Sequence, residues 1–170
     1  MYSQLRKDRK AWFIGKRECL SNLSVLQEDM KTADYLMDFD QFWIGWSCDY
    51  RGRMYSVSHW NYHRADHIKA CFLAGTPSKL DDDSRGWLMI HLANVGDFDK
   101  ISKKSLNDRI DWVHDNEEMI LGVANDFKAT FATWSAADYP MQFLAACIEY
   151  KKMKEQGDDY LCPLFCSLDG

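Results

Sequence analysis

Proline is scarce in this chain, with three among 170 residues, and no Pro-, Gly- or Ser-rich linker or low-complexity stretch occurs. Disordered, collagen-like and low-complexity classes are thereby excluded. Long apolar runs are missing too. None reaches the ~20 residues that span a bilayer, so no membrane partner is expected. Residues 1–10 are polar and basic, without the apolar stretch of a secretory signal. An excess of positive charge is also absent: 21 Lys+Arg stand against 26 Asp+Glu, a net charge of −5. That balance argues against a general, sequence-blind grip on nucleic acid, which normally shows as a basic domain. No P-loop, G-x-G-x-x-G or Ser-His-Asp pattern appears.

What is present is globular. The chain is 46% hydrophobic and 14% aromatic. A single domain of this size hides about 70% of its unfolded surface. The six cysteines (Cys19, Cys48, Cys71, Cys147, Cys162, Cys166) lack the secretory context of a disulfide framework. Only Cys162 and Cys166 have zinc-like spacing, and no second pair lies near them. Reduced, mostly buried thiols are expected. His59, His63 and His67 recur every four residues, a metal stripe if they shared one helix, but a strand-like segment and the loop-like Trp60-Asn61-Tyr62 argue against that.

Charge is uneven along the chain. Residues 1–20 carry Arg6, Lys7, Arg9, Lys10, Lys16 and Arg17 against Asp8 and Glu18. One or two helices are expected to about Met37. Phe42 to Trp46 and Met54 to Val57 read as strands around a polar turn. A helix is expected over 66–73, ended by Gly75 and Pro77, and another from a Ser84 cap to Asn94, ended by Gly96. Ser105 with Asp108 resembles a capping box, leading into Leu106, Ile110, Val113, Ile120, Leu121 and Ala124. Asp138 is expected to cap a helix with Pro140 in its first turn. The apolar face of that helix reads as Met141, Leu144, Ala145 and Ile148, and Gly157 stops it. Tyr160 to Leu168 reads as a buried strand. The fold class is α+β, mostly helical.

Two segments carry chemistry. Asp49-Tyr50-Arg51-Gly52-Arg53 puts two arginines around a glycine. The guanidinium fork matches phosphate oxygens, and a residue without Cβ admits close backbone approach. Asp49 could accept backbone N–H bonds and hold the turn. The same composition also builds an ordinary surface turn closed by an ion pair. Asp169-Gly170 follows an apolar strand. A carboxylate there could take Mg²⁺ through one oxygen, although an Asp-Gly pair is most often just a turn.

These segments belong to a longer pattern. Asp49-Tyr50-Arg51-Gly52-Arg53-Met54-Tyr55 resembles the D-x-x-G-R-x-Y signature of single-subunit, bacteriophage-type RNA polymerases, a family that includes the mitochondrial enzymes. Trp87 to Asn94 is similar to that family's W-L-x-I-H-x-x-N helix. Asp108-Arg109-Ile110 falls at its E-R helix. Phe143 to Glu149 resembles its F-L-A-x-C-x-E helix, and Leu161 to Gly170 its strand ending in the first catalytic Asp-Gly. Five segments in one order are far more specific than any one alone. Asn61-Tyr62-His63-Arg64 and Leu168 depart from the family pattern.

The resemblance implies a right-hand polymerase, with a helical thumb-like segment at 1–37 and the first part of the palm at 38–170. It implies that Asp49, Tyr50, Arg51, Gly52 and Arg53 meet the DNA template and RNA product. Arg53 would lie on a phosphate, Gly52 would permit close approach, Asp49 would fix the loop, and Tyr50 would sit beside the template base. Asp169 would be one of two carboxylates holding a Mg²⁺ pair, with the Gly170 carbonyl as a further ligand, for nucleotidyl transfer from nucleoside triphosphates. The fingers, the second carboxylate and the rest of the palm would be supplied by the remainder of the polymerase, joined covalently or as a split subunit. One carboxylate cannot clamp two ions, so these 170 residues are not expected to synthesise RNA by themselves. The cytoplasm of a phage-infected cell is the implied location. The competing expectation is a non-enzymatic helical interaction protein.

Overall fold

The computed structural model describes residues 2–165, with side chains from residue 4. The chain divides into two compact units, Met1–Trp60 and Asn61–Gly170. The division falls beyond the end of the first helix, at a different place from the 37/38 boundary implied by the family resemblance.

In the first unit, α1 (Tyr2–Leu36) is a single helix of 35 residues. No proline interrupts it, and Gly15 is its one glycine. Most of its surface is exposed, while Asp29 is buried and lies 3.8 Å from His59 Nε2. Two short strands follow, β1 (Trp46–Cys48) and β2 (Met54–Ser56), paired antiparallel with Trp46 opposite Ser56 and Cys48 opposite Met54. The expected strand at 42–46 thus moves toward the turn. Ladder hydrogen bonds, which β propensity alone cannot place, set the register, and Val57 N–H extends the pairing to the Gly45 carbonyl (2.9 Å).

The second unit is mostly helical. Its elements are α2 (Asp66–Cys71), β3 (Leu73–Lys79), α3 (Asp82–Gly96), α4 (Leu106–Asp115), α5 (Glu117–Asn125), α6 (Phe131–Trp134), α7 (Pro140–Gln156) and β4 (Leu161–Leu164), with 3-10 turns at Phe98–Lys103 and Gly157–Asp159. The expected helix over 66–73 stops at Cys71 because Phe72 is extended. The residues taken as helix stops belong to β3, antiparallel to β4 through Leu73–Leu164, Ser78–Cys162 and Lys79–Leu161. Gly75 and Pro77 occupy the irregular stretch between Leu73 and Ser78, where a residue lacking an N–H breaks no ladder bond. Asp81, not Ser84, caps α3: its carboxylate accepts the Ser84 N–H (2.8 Å). The Ser105–Asp108 capping box forms as expected.

The core gathers Leu88 and Leu92 of α3, Val113 of α4, Ile120 and Val123 of α5, and Phe143, Ala146, Cys147, Tyr150 and Met153 of α7. The buried stripe of α7 is rotated from the expected one, and Met141 is exposed. This helix packs against α2, α3 and α5, and apolar residues occupy too much of its circumference for periodicity to select a face.

The start of α7 is held from a distance. Asp138 does not cap it. Asp66, at the start of α2, accepts the N–H groups of Met141 (2.7 Å) and Gln142 (3.2 Å) and the Gln142 side-chain amide (3.0 Å). A carboxylate there satisfies orphan donors and opposes the helix dipole. Asp66→Ala is expected to destabilise the chain by about 2 kcal/mol. Urea unfolding of the two proteins checks this, and a loss under about 0.5 kcal/mol would show that solvent replaces the carboxylate.

Candidate nucleic-acid interface

The turn joining β1 to β2 is built around Asp49. Its Oδ1 accepts the backbone N–H groups of Arg51 (2.8 Å) and Arg53 (3.0 Å), and its Oδ2 accepts Arg51 Nε (3.0 Å). Backbone bonds from Asp49 N–H to the Arg53 carbonyl (2.9 Å) and from Gly52 N–H to the Asp49 carbonyl (3.0 Å) close it. The Arg53 N–H bond, more than any other interaction, holds the Asp49 carboxyl below its ordinary range. Gly52 has φ +79°, a backbone region that side chains other than glycine enter at a cost.

This arrangement separates the two arginines. Arg51 is exposed, but it is engaged by Asp49, with its Nη2 3.5 Å from the Tyr55 hydroxyl and its guanidinium carbon 5.4 Å from the Tyr50 ring centre. Arg53 is exposed, and among the described residues its guanidinium meets no carboxylate. Tyr50 is 95% exposed. One cation without a carboxylate partner among the described residues and one exposed aromatic ring are therefore presented on a loop whose backbone is fixed, an arrangement suited to a phosphate and a base.

Asp169 and Gly170, the expected metal-binding pair, lie outside the described residues. Among the described residues no group of three or more His, Cys, Asp or Glu side chains could hold a metal ion. His59, His63 and His67 do not share a helix, and only His67 lies in α2. No cysteine among the described residues is in a disulfide.

The other motif residues hold the scaffold together. Arg109 donates to Asn94 Oδ1 (2.9 Å), the Ser102 carbonyl (2.8 Å) and the Lys104 carbonyl (3.0 Å), tying two of the recognised segments across the 3-10 turn. Outside the motifs, Glu117 of α5 accepts the Tyr150 hydroxyl (2.9 Å) and Lys154 Nζ (2.8 Å). Sequence reading assigned no partner to Asp66, Glu149 or Tyr160, whose pairings are made only in the folded chain.

The chain belongs to the DNA-dependent RNA polymerase family, whose family model matches residues 78–170. It is 32% identical over 165 residues to the DNA-directed RNA polymerase of Enterobacteria phage K11, covering 97% of this chain and 17% of that protein. It is 30% identical over 142 residues to the T7 RNA polymerase of Escherichia phage T7, covering 83% of this chain and 16% of the other. The mitochondrial DNA-directed RNA polymerase of Neurospora crassa is 34% identical over 118 residues, covering 69% of this chain and 8% of that protein. The chain thus spans about a sixth of the length of the phage relatives it matches. Among the described residues, no helix is long and apolar enough to cross a membrane.

Proposed function

We propose that these residues form the end of the thumb (1–37) and the first part of the palm (38–170) of a phage-type RNA polymerase, and that the 49–53 hairpin contacts template DNA and the RNA–DNA hybrid. The observation carrying this reading is the division of labour at Asp49. The carboxylate and Arg51 hold each other and the turn, which leaves Arg53 unpaired among the described residues and Tyr50 fully outward. A preset loop does not have to be ordered when nucleic acid binds, so its phosphate contact costs little entropy. Local positive charge suffices for this, and the net charge of −5 is compatible with it.

Asp169 and the Gly170 carbonyl are the residues that would hold Mg²⁺, which when bound would supply electrostatic stabilisation of phosphoryl transfer. This assignment rests on the family resemblance. Nucleoside triphosphates are the proposed substrates, and the remainder of the polymerase is the proposed partner. The proposed location is the cytoplasm of an infected cell.

In a complete polymerase carrying this segment, Arg53→Ala is expected to weaken template binding about 10-fold at moderate salt. It should also lower the slope of log affinity against log salt concentration by about one. Unchanged binding, slope and elongation would remove Arg53 from the interface.

A further inference from the structure

Glu149 is a carboxylate in the wrong place for solvent. It sits on α7, is 4% exposed, and accepts the Tyr160 hydroxyl (2.5 Å) through Oε2 and Lys152 Nζ (2.7 Å) through Oε1. Tyr160 is 2% exposed. Burial and the facing Glu149 carboxylate push the phenol above its ordinary range, so it remains a donor. Stability alone does not call for this pair. A buried ionic group is often no better than an apolar one of equal volume, and phenylalanine would fill the space of Tyr160 without requiring a carboxylate. What the pair adds is direction, because a short bond to a charged acceptor fixes both distance and angle.

Tyr160 immediately precedes β4, the strand from which the chain continues to Asp169. The turn before it contains Gly157 at φ +60° and is tied to α3 by the Arg85–Asp158 ion pair. Beyond β4, the Phe165 carbonyl accepts the Tyr62 hydroxyl (3.4 Å), and the two rings meet edge to face at 5.5 Å. The strand is only four residues long. It is paired with β3, and these clamps hold its two ends, the buried one joining it to the longest helix of the second unit, α7.

We infer that Glu149 and Tyr160 are positioning residues that act through β4 on the placement of Asp169; this rests on the polymerase reading above. In a complete polymerase carrying this segment, Tyr160→Phe and Glu149→Gln are each expected to lower kcat for nucleotide addition about 10- to 100-fold, the penalty of a misplaced reacting group. KM for nucleoside triphosphates and template affinity should stay within about twofold. Rates are referred to the folded fraction at a temperature where both variants are folded. In the 170-residue chain, Tyr160→Phe should speed amide exchange at Leu161, Cys162 and Leu164 and leave α3 unchanged. Faster exchange with unchanged kcat overturns the positioning role and leaves a merely stabilising contact. Unchanged exchange overturns the clamp itself. A wild-type polymerase that makes no RNA overturns the polymerase reading instead, and the exchange measurement still decides the clamp.

Discussion

Truncation of Phe143 to alanine is expected to destabilise the second unit by about 3–5 kcal/mol. Phe143 is fully buried on α7 and meets the Phe98 ring edge to face at 5.4 Å. It also lies against the end of α3, where a Cβ added at Gly96 would come within 3.0 Å of the Phe143 ring and 3.2 Å of the Phe98 ring. The Gly96 and Val95 carbonyls accept N–H groups from Asp138 and Tyr139, just ahead of α7. Backbone is therefore pinned on both sides of the ring, and the site cannot collapse to fill the space. The cost should sit at the high end of large-to-small substitutions for that reason. Chemical denaturation of the 170-residue chain, followed by a probe in the second unit, measures it. A loss below about 1.5 kcal/mol would mean that α3 and α7 slide together after truncation.

The second large effect is acid lability set by His91. This histidine lies on α3, is 6% exposed, and faces Tyr62, Lys69 and Gln142 across a narrow crevice. Burial pulls its pKa from the ordinary 6.5 to about 4. Between those values the unfolded chain binds a proton that the folded chain refuses. Stability therefore falls as pH drops through this window, by about 2 kcal/mol at pH 5 and roughly 3 near pH 4. The hydrogen-bonded carboxylates, including Asp49, Asp97, Asp108 and Asp158, have lowered pKa values. Their stabilisation is complete above the ordinary carboxylate range and is lost only below it. From pH 6.5 to 5 these carboxylates therefore change little, and the His91 contribution is read from the difference between two proteins. A His91→Gln variant should show a flatter dependence of unfolding free energy on pH across that interval, whatever its absolute stability. Parallel curves for the two proteins would show that the folded chain accepts the proton.

The helices that sequence located well are those whose signals are local. Ser105 and Asp108 stand three apart and form their capping box with each other. Gly157 ends α7 in a positive-φ conformation, as a glycine after a lysine-rich turn suggests. The strand β3 was not legible, because Gly75 and Pro77 carry the signature of a break. They are tolerated only because β4, more than eighty residues later in the chain, pairs on either side of them. The caps of α3 and α7 were misplaced for related reasons. Asp81 competes with Ser84 for one helix start, and the α7 cap is the carboxylate of Asp66, separated from it by 75 positions.

By itself the sequence determined the membership of this chain in the polymerase family, the hairpin around Asp49-Tyr50-Arg51-Gly52-Arg53, and the predominance of helix. All three depend on residue order and on interactions within a few positions. Only the folded turn decided that Asp49 takes the Arg51 guanidinium, while that of Arg53 meets no carboxylate among the described residues, since a shared turn does not say which guanidinium the carboxylate will take. It also decided that Glu149 grips Tyr160 and that Asp66 caps α7. These last two pairings join different elements of the second unit, α7 to the residue before β4 and α2 to α7, and form only when those elements pack.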